Sequence, residues 1–300
     1  MIQPRRLGRD SQLQMRMVLT MLLLGVVYGF FIYFLVGVTG SGAMLLIVGG
    51  FVLVQFYFSD KLVLASMRAK VVTPQEAPKL HAMVDRLSQA AGIPKPKVAI
   101  SEMSVPNAFA TGRSQKSAAV AVTTGLLQVL NERELEGVMA HEISHIASRD
   151  VQVMTYASFL SVVASSLMTF FMLSSFFGGM GRSRDGGGNY ILLAWMVTAI
   201  VWFVSNLLVL ALSRYREYAA DRGAAALTGR PRDLASALQR LSSAITRVPK
   251  QDLRRAETLN AFFIMPAVGD GFASLFASHP PMEKRIARLL EIEGELKAIA

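Results

Sequence analysis

Residues 140–146 read Ala-His-Glu-Ile-Ser-His-Ile, which sets His141 and His145 four apart with Glu142 beside the first. On a helix, positions four apart share a face, so two neutral imidazoles at this spacing can reach one metal ion. A catalytic zinc site takes three protein ligands and leaves a further position open for water, whose pKa falls to about 7. Glu142 projects beside the pair, where a carboxylate can take that proton. The chemistry this arrangement serves is metal-assisted hydrolysis of a peptide bond.

The element that must carry these residues has a readable start. Asn131 with Glu134 three residues on forms a capping-box pattern, and Leu135, Val138, Met139 and Ile146 follow as an apolar helical stripe. A third ligand is still required. The candidates are His81, His279, Glu217 and Asp221. Glu217 and Asp221 lie four apart in SRYREYAADRGAA, whose small residues let that helix approach another closely. Taken alone, the pair would read as an i,i+4 surface pair or an ion pair with Arg214 or Arg222. Beside the His-Glu-x-x-His helix, Glu217 is the preferred ligand. Asp221, one turn later, is placed to accept a hydrogen bond from the far nitrogen of a ligand imidazole.

That preference rests on the apolar segments. Of the 300 residues 52% are hydrophobic and only 17% charged, and residues 17–59, 151–181 and 186–213 contain no charge at all. A bilayer core of about 30 Å needs roughly 20 apolar residues in a helix, so the last two runs supply one span each. The first divides at residues 37–42 (GVTGSG) into spans at 17–38 and 43–58, too long together for a signal peptide. His145 precedes the third span by six residues and Glu217 follows Ser213 by four. If spans three and four form a hairpin, both ligands emerge side by side, about 6–9 Å beyond the membrane boundary.

The expected organisation is therefore a transmembrane hairpin at 1–60, a first half of the catalytic domain at 61–150, a second hairpin at 151–213 and a second catalytic half at 214–300. Arg5, Arg6, Arg9, Arg16, Lys61, Arg68, Lys70, Arg149, Arg214, Arg216 and Arg222 flank the spans on one side, which the positive-inside rule makes cytoplasmic, together with both termini. The net charge of +10 is absorbed by this topology and by anionic headgroups, so no nucleic-acid partner is expected. The absence of cysteine excludes disulfides and thiolate ligands. Within the polar parts, helices are expected at 75–91, 214–227, 233–245 and 281–299. Short strands are expected at 98–100, 108–111 and 118–123. Residues 178–188 (GGMGRSRDGGG) read as a flexible loop outside the cytoplasm.

HEISH, followed after two apolar spans by REYAADRGAA, with PNAFATG upstream and SHPPMEKRI downstream, resembles the HtpX family of bacterial membrane zinc peptidases. It is more distantly similar to eukaryotic CAAX-prenyl endopeptidases. The resemblance covers essentially the whole chain. It implies four transmembrane helices with a gluzincin-like α+β zinc peptidase domain on the cytoplasmic face of the bacterial inner membrane. It also implies one zinc ion per chain on His141, His145 and Glu217, Glu142 as base, and endoproteolysis of misfolded or damaged membrane proteins.

PNAFATG reads as an edge strand in which Asn107, Ala108 and Phe109 bind an extended peptide, largely on the strength of this resemblance; otherwise it is a core strand with Phe109 as packing. His279 in Ser-His-Pro-Pro reads equally as a donor to the tetrahedral oxyanion or as part of a helix entry. His81 carries no expected chemistry. A metal-ion transporter would need ionisable groups inside the spans, which hold none, and an inactive scaffold would not need the complete set of ligands and base.

Overall fold

The computed structural model describes residues 10–39, 50, 57, 63–178, 187–245 and 279–299. The expected second span, the loop after the third and the segment 246–278 lie wholly or largely outside these. The chain forms two compact units. One takes in residues 1–13, 58–152 and 213–300; the other takes in 14–57 and 153–212.

The first unit is built on a four-stranded sheet in the order β1-β2-β4-β3, from β1 (Ala69–Val71), β2 (Lys97–Ser101), β3 (Ala108–Thr111) and β4 (Ala119–Thr123). β1 is antiparallel to β2, β2 parallel to β4, and β3 antiparallel to β4 with Phe109 opposite Ala121. β3 is thus an edge strand. Three strands fall where the alternating apolar pattern puts them. β1 was not foreseen, since three residues carry no period.

α2 (Pro78–Ala91) covers one face of the sheet and ends on Gly92, whose left-handed φ of 66° lets the chain turn back. α3 (Thr124–Val129) leads into α4 (Glu132–Ala147), the helix of the His-Glu-x-x-His motif. The capping box is formed: Asn131 accepts from the backbone N–H groups of Arg133 and Glu134, and Glu134 accepts from that of Asn131. β4 divides the core by its pleat. Val120 and Val122 face Leu80, Val84 and Leu87 of α2 and Val138, Met139 and Ile143 of α4, while Ala121 joins Met67, Ala99, Val105 and Phe109 on the other face.

α7 (Pro231–Ile245) completes the large core through Leu234, Leu238 and Leu241. It packs on α4 at Gly137, where a Cβ would stand 2.9 Å from the backbone nitrogen of Leu234. α8 (Met282–Ile299) adds Leu289. Buried Glu136 is an exception to apolar burial, and it is neutralised by Arg86 and Arg230.

Among the described residues, the elements of the second unit are α1 (Ser11–Thr39), α5 (Asp150–Gly178) and α6 (Gly187–Thr228), apart from the helix ends that belong to the first. Phe31, Val163, Ala164, Leu167 and Val201 form one of its clusters, and Leu24, Ala157 and Leu212 another. The outward faces are apolar too. Val18, Leu22, Val26 and Tyr33 of α1 are 59–81% exposed, a surface that water does not tolerate at this extent and lipid does. Ser11–Phe34 and Leu192–Thr228 are each long and apolar enough to cross a membrane.

Candidate metal centre

α4 and the C-terminal part of α6 meet over Gly223, and this contact brings the two halves of the site together. A Cβ at Gly223 would lie 2.6 Å from Oγ and 2.8 Å from Cβ of Ser144, which sits between the two histidines on α4. The small residues around Glu217 therefore serve the close approach expected of them.

His141, His145 and Glu217 converge so that one ligand atom from each lies within 4.8 Å of the others. The Nε2 atoms of the two histidines are 3.0 Å apart, and Glu217 places Oε2 3.5 Å from His141 Nε2 and Oε1 3.4 Å from His145 Nε2. Both rings thus turn the same nitrogen toward a common centre. Each Nδ1 has a carboxylate behind it: Asp221 Oδ1 stands 2.9 Å from His141 Nδ1, and Asp150 Oδ2 stands 2.6 Å from His145 Nδ1. A carboxylate on the far nitrogen fixes the tautomer that leaves Nε2 free as a donor to metal. Asp221 is thus brought behind His141. Asp150 has the matching place behind His145 and was not anticipated.

Two arginines complete the electrostatics. Arg285 of α8, fully buried, binds both oxygens of Asp221 at 2.7 and 2.9 Å and reaches Glu217 Oε2 at 3.0 Å. Arg216 pairs with Asp150 and donates to the Ser148 carbonyl at 3.0 Å. Burial works against the charged form of His141, but Asp221 and Glu217 outweigh it and hold its pKa above the ordinary histidine value. His145 is raised in the same way, burial being overcome chiefly by Glu217. For Arg285 burial is outweighed by Asp221 and Glu217, and the guanidinium is held more firmly protonated than usual.

The charge balance fits a divalent cation. The carboxylates of Glu142, Asp150, Glu217 and Asp221 and the guanidiniums of Arg216 and Arg285 are all at most 7% exposed. Four negative and two positive groups leave a formal charge of −2. Two imidazoles and one carboxylate form a donor set that could hold a metal ion and is one of those used for zinc.

Glu142 is buried beside His141 on α4. His279 lies at the site, its Nδ1 3.2 Å from Glu217 Oε2, and Pro281 directly precedes α8, so proximity to the centre and a helix entry occur together. Asn107 is buried immediately before β3, its N–H donating to Thr123 Oγ1 at 2.8 Å. The Ala108 side chain lies in the large core, and Phe109 is packed in the smaller cluster. Both side chains are thus turned into the protein, 1% and 3% exposed. His81 stays apart from the site, with Nε2 3.0 Å from the Val72 carbonyl.

A helix bearing His-Glu-x-x-His, a carboxylate returned from a second helix and carboxylates behind both imidazoles together define a metallopeptidase. The chain belongs to peptidase family M48, whose pattern matches residues 74–293. It is 52% identical to a protein named protease HtpX homolog 2 from Methanosarcina acetivorans, over 97% of this chain and 99% of that one. It is 50% identical to a protease HtpX homolog from Moorella thermoacetica, over 98% of each. The fold is shared with the crystal structure of Ste24p from S. mikatae, with a TM-score of 0.56 and 21% identity over 93% of this chain and 67% of that chain. The protein is thus a membrane-associated protease of the M48 family.

Proposed function

We propose that the chain is a zinc-dependent endopeptidase of the plasma membrane that cleaves misfolded or damaged membrane proteins. The observation that carries this reading is the convergence of two Nε2 atoms and a Glu217 oxygen, with the far side of each ring held by a carboxylate. His141, His145 and Glu217 hold one zinc ion. Zinc so bound supplies the Lewis acidity that makes water a nucleophile near neutral pH and polarises a peptide carbonyl.

The protein groups do the rest. Glu142 takes the proton of the attacking water and passes it to the departing amide nitrogen, so that one carboxylate serves both halves of the reaction. β3, an edge strand of the sheet, pairs with an extended substrate main chain, and this favours unfolded segments over folded ones. His279, beside Glu217, is the donor available to a developing oxyanion.

Four spans, with the catalytic unit and both termini in the cytoplasm, follow from the charge-free runs and the basic residues that flank them. This arrangement keeps the centre close to the membrane face, where damaged membrane proteins present loose segments. The test is Glu142→Gln in the full chain, assayed on an unfolded membrane protein beside zinc analysis. The variant should retain one zinc and lose cleavage by at least about 100-fold. Wild-type turnover in a zinc-loaded Glu142→Gln protein refutes the mechanism.

A further inference from the structure

His145 owes its orientation to a residue that helical spacing alone would place elsewhere. Asp150 is five positions further on, and a continued helix would carry it roughly 140° around the axis, away from the face of His145. Instead α4 ends at Ala147 and Arg149 adopts the left-handed conformation with φ 57°. The chain turns there, and Asp150 opens α5 with its Oδ2 2.6 Å from His145 Nδ1. A left-handed conformation strains a non-glycine residue, and such residues persist where their surroundings hold them. Here Arg149 donates its N–H to the Ile146 carbonyl at 3.1 Å and accepts from the Gln152 N–H at 3.1 Å.

Arg216 closes the group from α6. It pairs with the second oxygen of Asp150 and donates to the carbonyl of Ser148, the residue that caps α4. Asp150 and Arg216 are 6% and 7% exposed, so neither is a surface charge.

We infer that Asp150 is a positioning residue for the metal centre and that Arg216 anchors it, an inference that rests on the assignment of His145 as a ligand. Asp150 accepts the Nδ1 proton of His145, which fixes the tautomer with its Nε2 lone pair toward the centre, and its charge makes that nitrogen a stronger donor. Arg216 holds the carboxylate by its other oxygen so that it cannot rotate away. A purely structural ion pair at the start of α5 would support folding and leave metal affinity untouched.

The experiment compares the full wild-type chain with Asp150→Ala, Asp150→Asn and His145→Ala in detergent micelles. Zinc affinity is read by competition with a chromophoric chelator, ligand geometry by the visible spectrum of the cobalt-substituted protein, and folding by the melting temperature without metal. Asp150→Ala should weaken zinc affinity about 10- to 100-fold. Asp150→Asn keeps an acceptor oxygen without its charge, and should lose less affinity while still shifting the cobalt spectrum. Zinc affinity within twofold of wild type in Asp150→Ala overturns the assignment, whatever its melting temperature. Should Asp150→Ala fail to fold, Asp150→Asn decides, and an unchanged affinity and cobalt spectrum overturn it. Unweakened zinc binding by His145→Ala would show a different fault, in the ligand assignment beneath the inference, and would remove both.

Discussion

Replacing Gly223 by alanine should damage the metal centre although residue 223 is not part of it. The new Cβ would lie 2.6 Å from Ser144 Oγ and 2.8 Å from Ser144 Cβ, against about 3.5–4.0 Å for unstrained carbon contacts. Oγ can swing aside by giving up its 2.8 Å bond to the Ala140 carbonyl. Cβ cannot, because the backbone of α4 sets its position. α6 must then retreat from α4 by about 1 Å, an overpacking that costs about 1–3 kcal/mol. Alanine's helix propensity offsets roughly 1 kcal/mol of this, so the net loss of stability is modest.

The loss of activity should not be modest. Ser144 lies between His141 and His145 while Gly223 shares α6 with Glu217, so the retreat draws the Glu217 carboxylate away from the imidazoles. A displacement of about 1 Å in a catalytic site lowers rates by about 100-fold. Cleavage of an unfolded membrane protein and melting curves with and without zinc measure both effects. Because both clashing atoms belong to Ser144, Ser144→Gly should restore the Gly223→Ala enzyme, whereas Ser144→Ala, which retains Cβ, should not. Equal rescue by the two, or a Gly223→Ala enzyme with wild-type rate, refutes the reasoning.

Two further outcomes concern stability. Arg285→Met leaves Asp221 and Glu217 buried without their common partner and should cost about 3–5 kcal/mol in chemical denaturation; Arg285→Lys should recover little, since it cannot bind both oxygens of Asp221. Asn131→Ala removes the acceptor for two backbone N–H groups at the start of α4 and should cost about 1 kcal/mol with zinc affinity unchanged.

The reach of the sequence ended where the backbone departs from simple periodicity. His141 and His145 announce their shared face by helical spacing, and the start of α4 is written in Asn131 and Glu134. Glu217 could be chosen because charge-free runs dictate where helices must begin and end. Asp150 could not, since its approach to His145 depends on the left-handed Arg149, and arginine is not a residue that signals such a turn. Arg285 sits on a terminal helix rich in charge, where one more basic residue reads as solvated surface, and only the fold shows it fully buried among carboxylates. Phe109 joins the two readings of its segment: its strand is at the edge, and its side chain belongs to the core.

The distribution of the site along the chain also governs when it can come into being. The two histidines of the candidate centre lie at 141 and 145, the carboxylate that meets them at 217, and the arginine that pairs with it at 285. At a synthesis rate of about 5–20 residues per second, the histidine helix precedes Arg285 by roughly 7–28 s. A ribosome-bound chain therefore carries both histidines and the Glu217 and Asp221 carboxylates for some seconds before the arginine that pairs with those carboxylates exists. The carboxylates at 217 and 221 wait for their common partner, and the centre assembles in its final form only after residue 285 has been made.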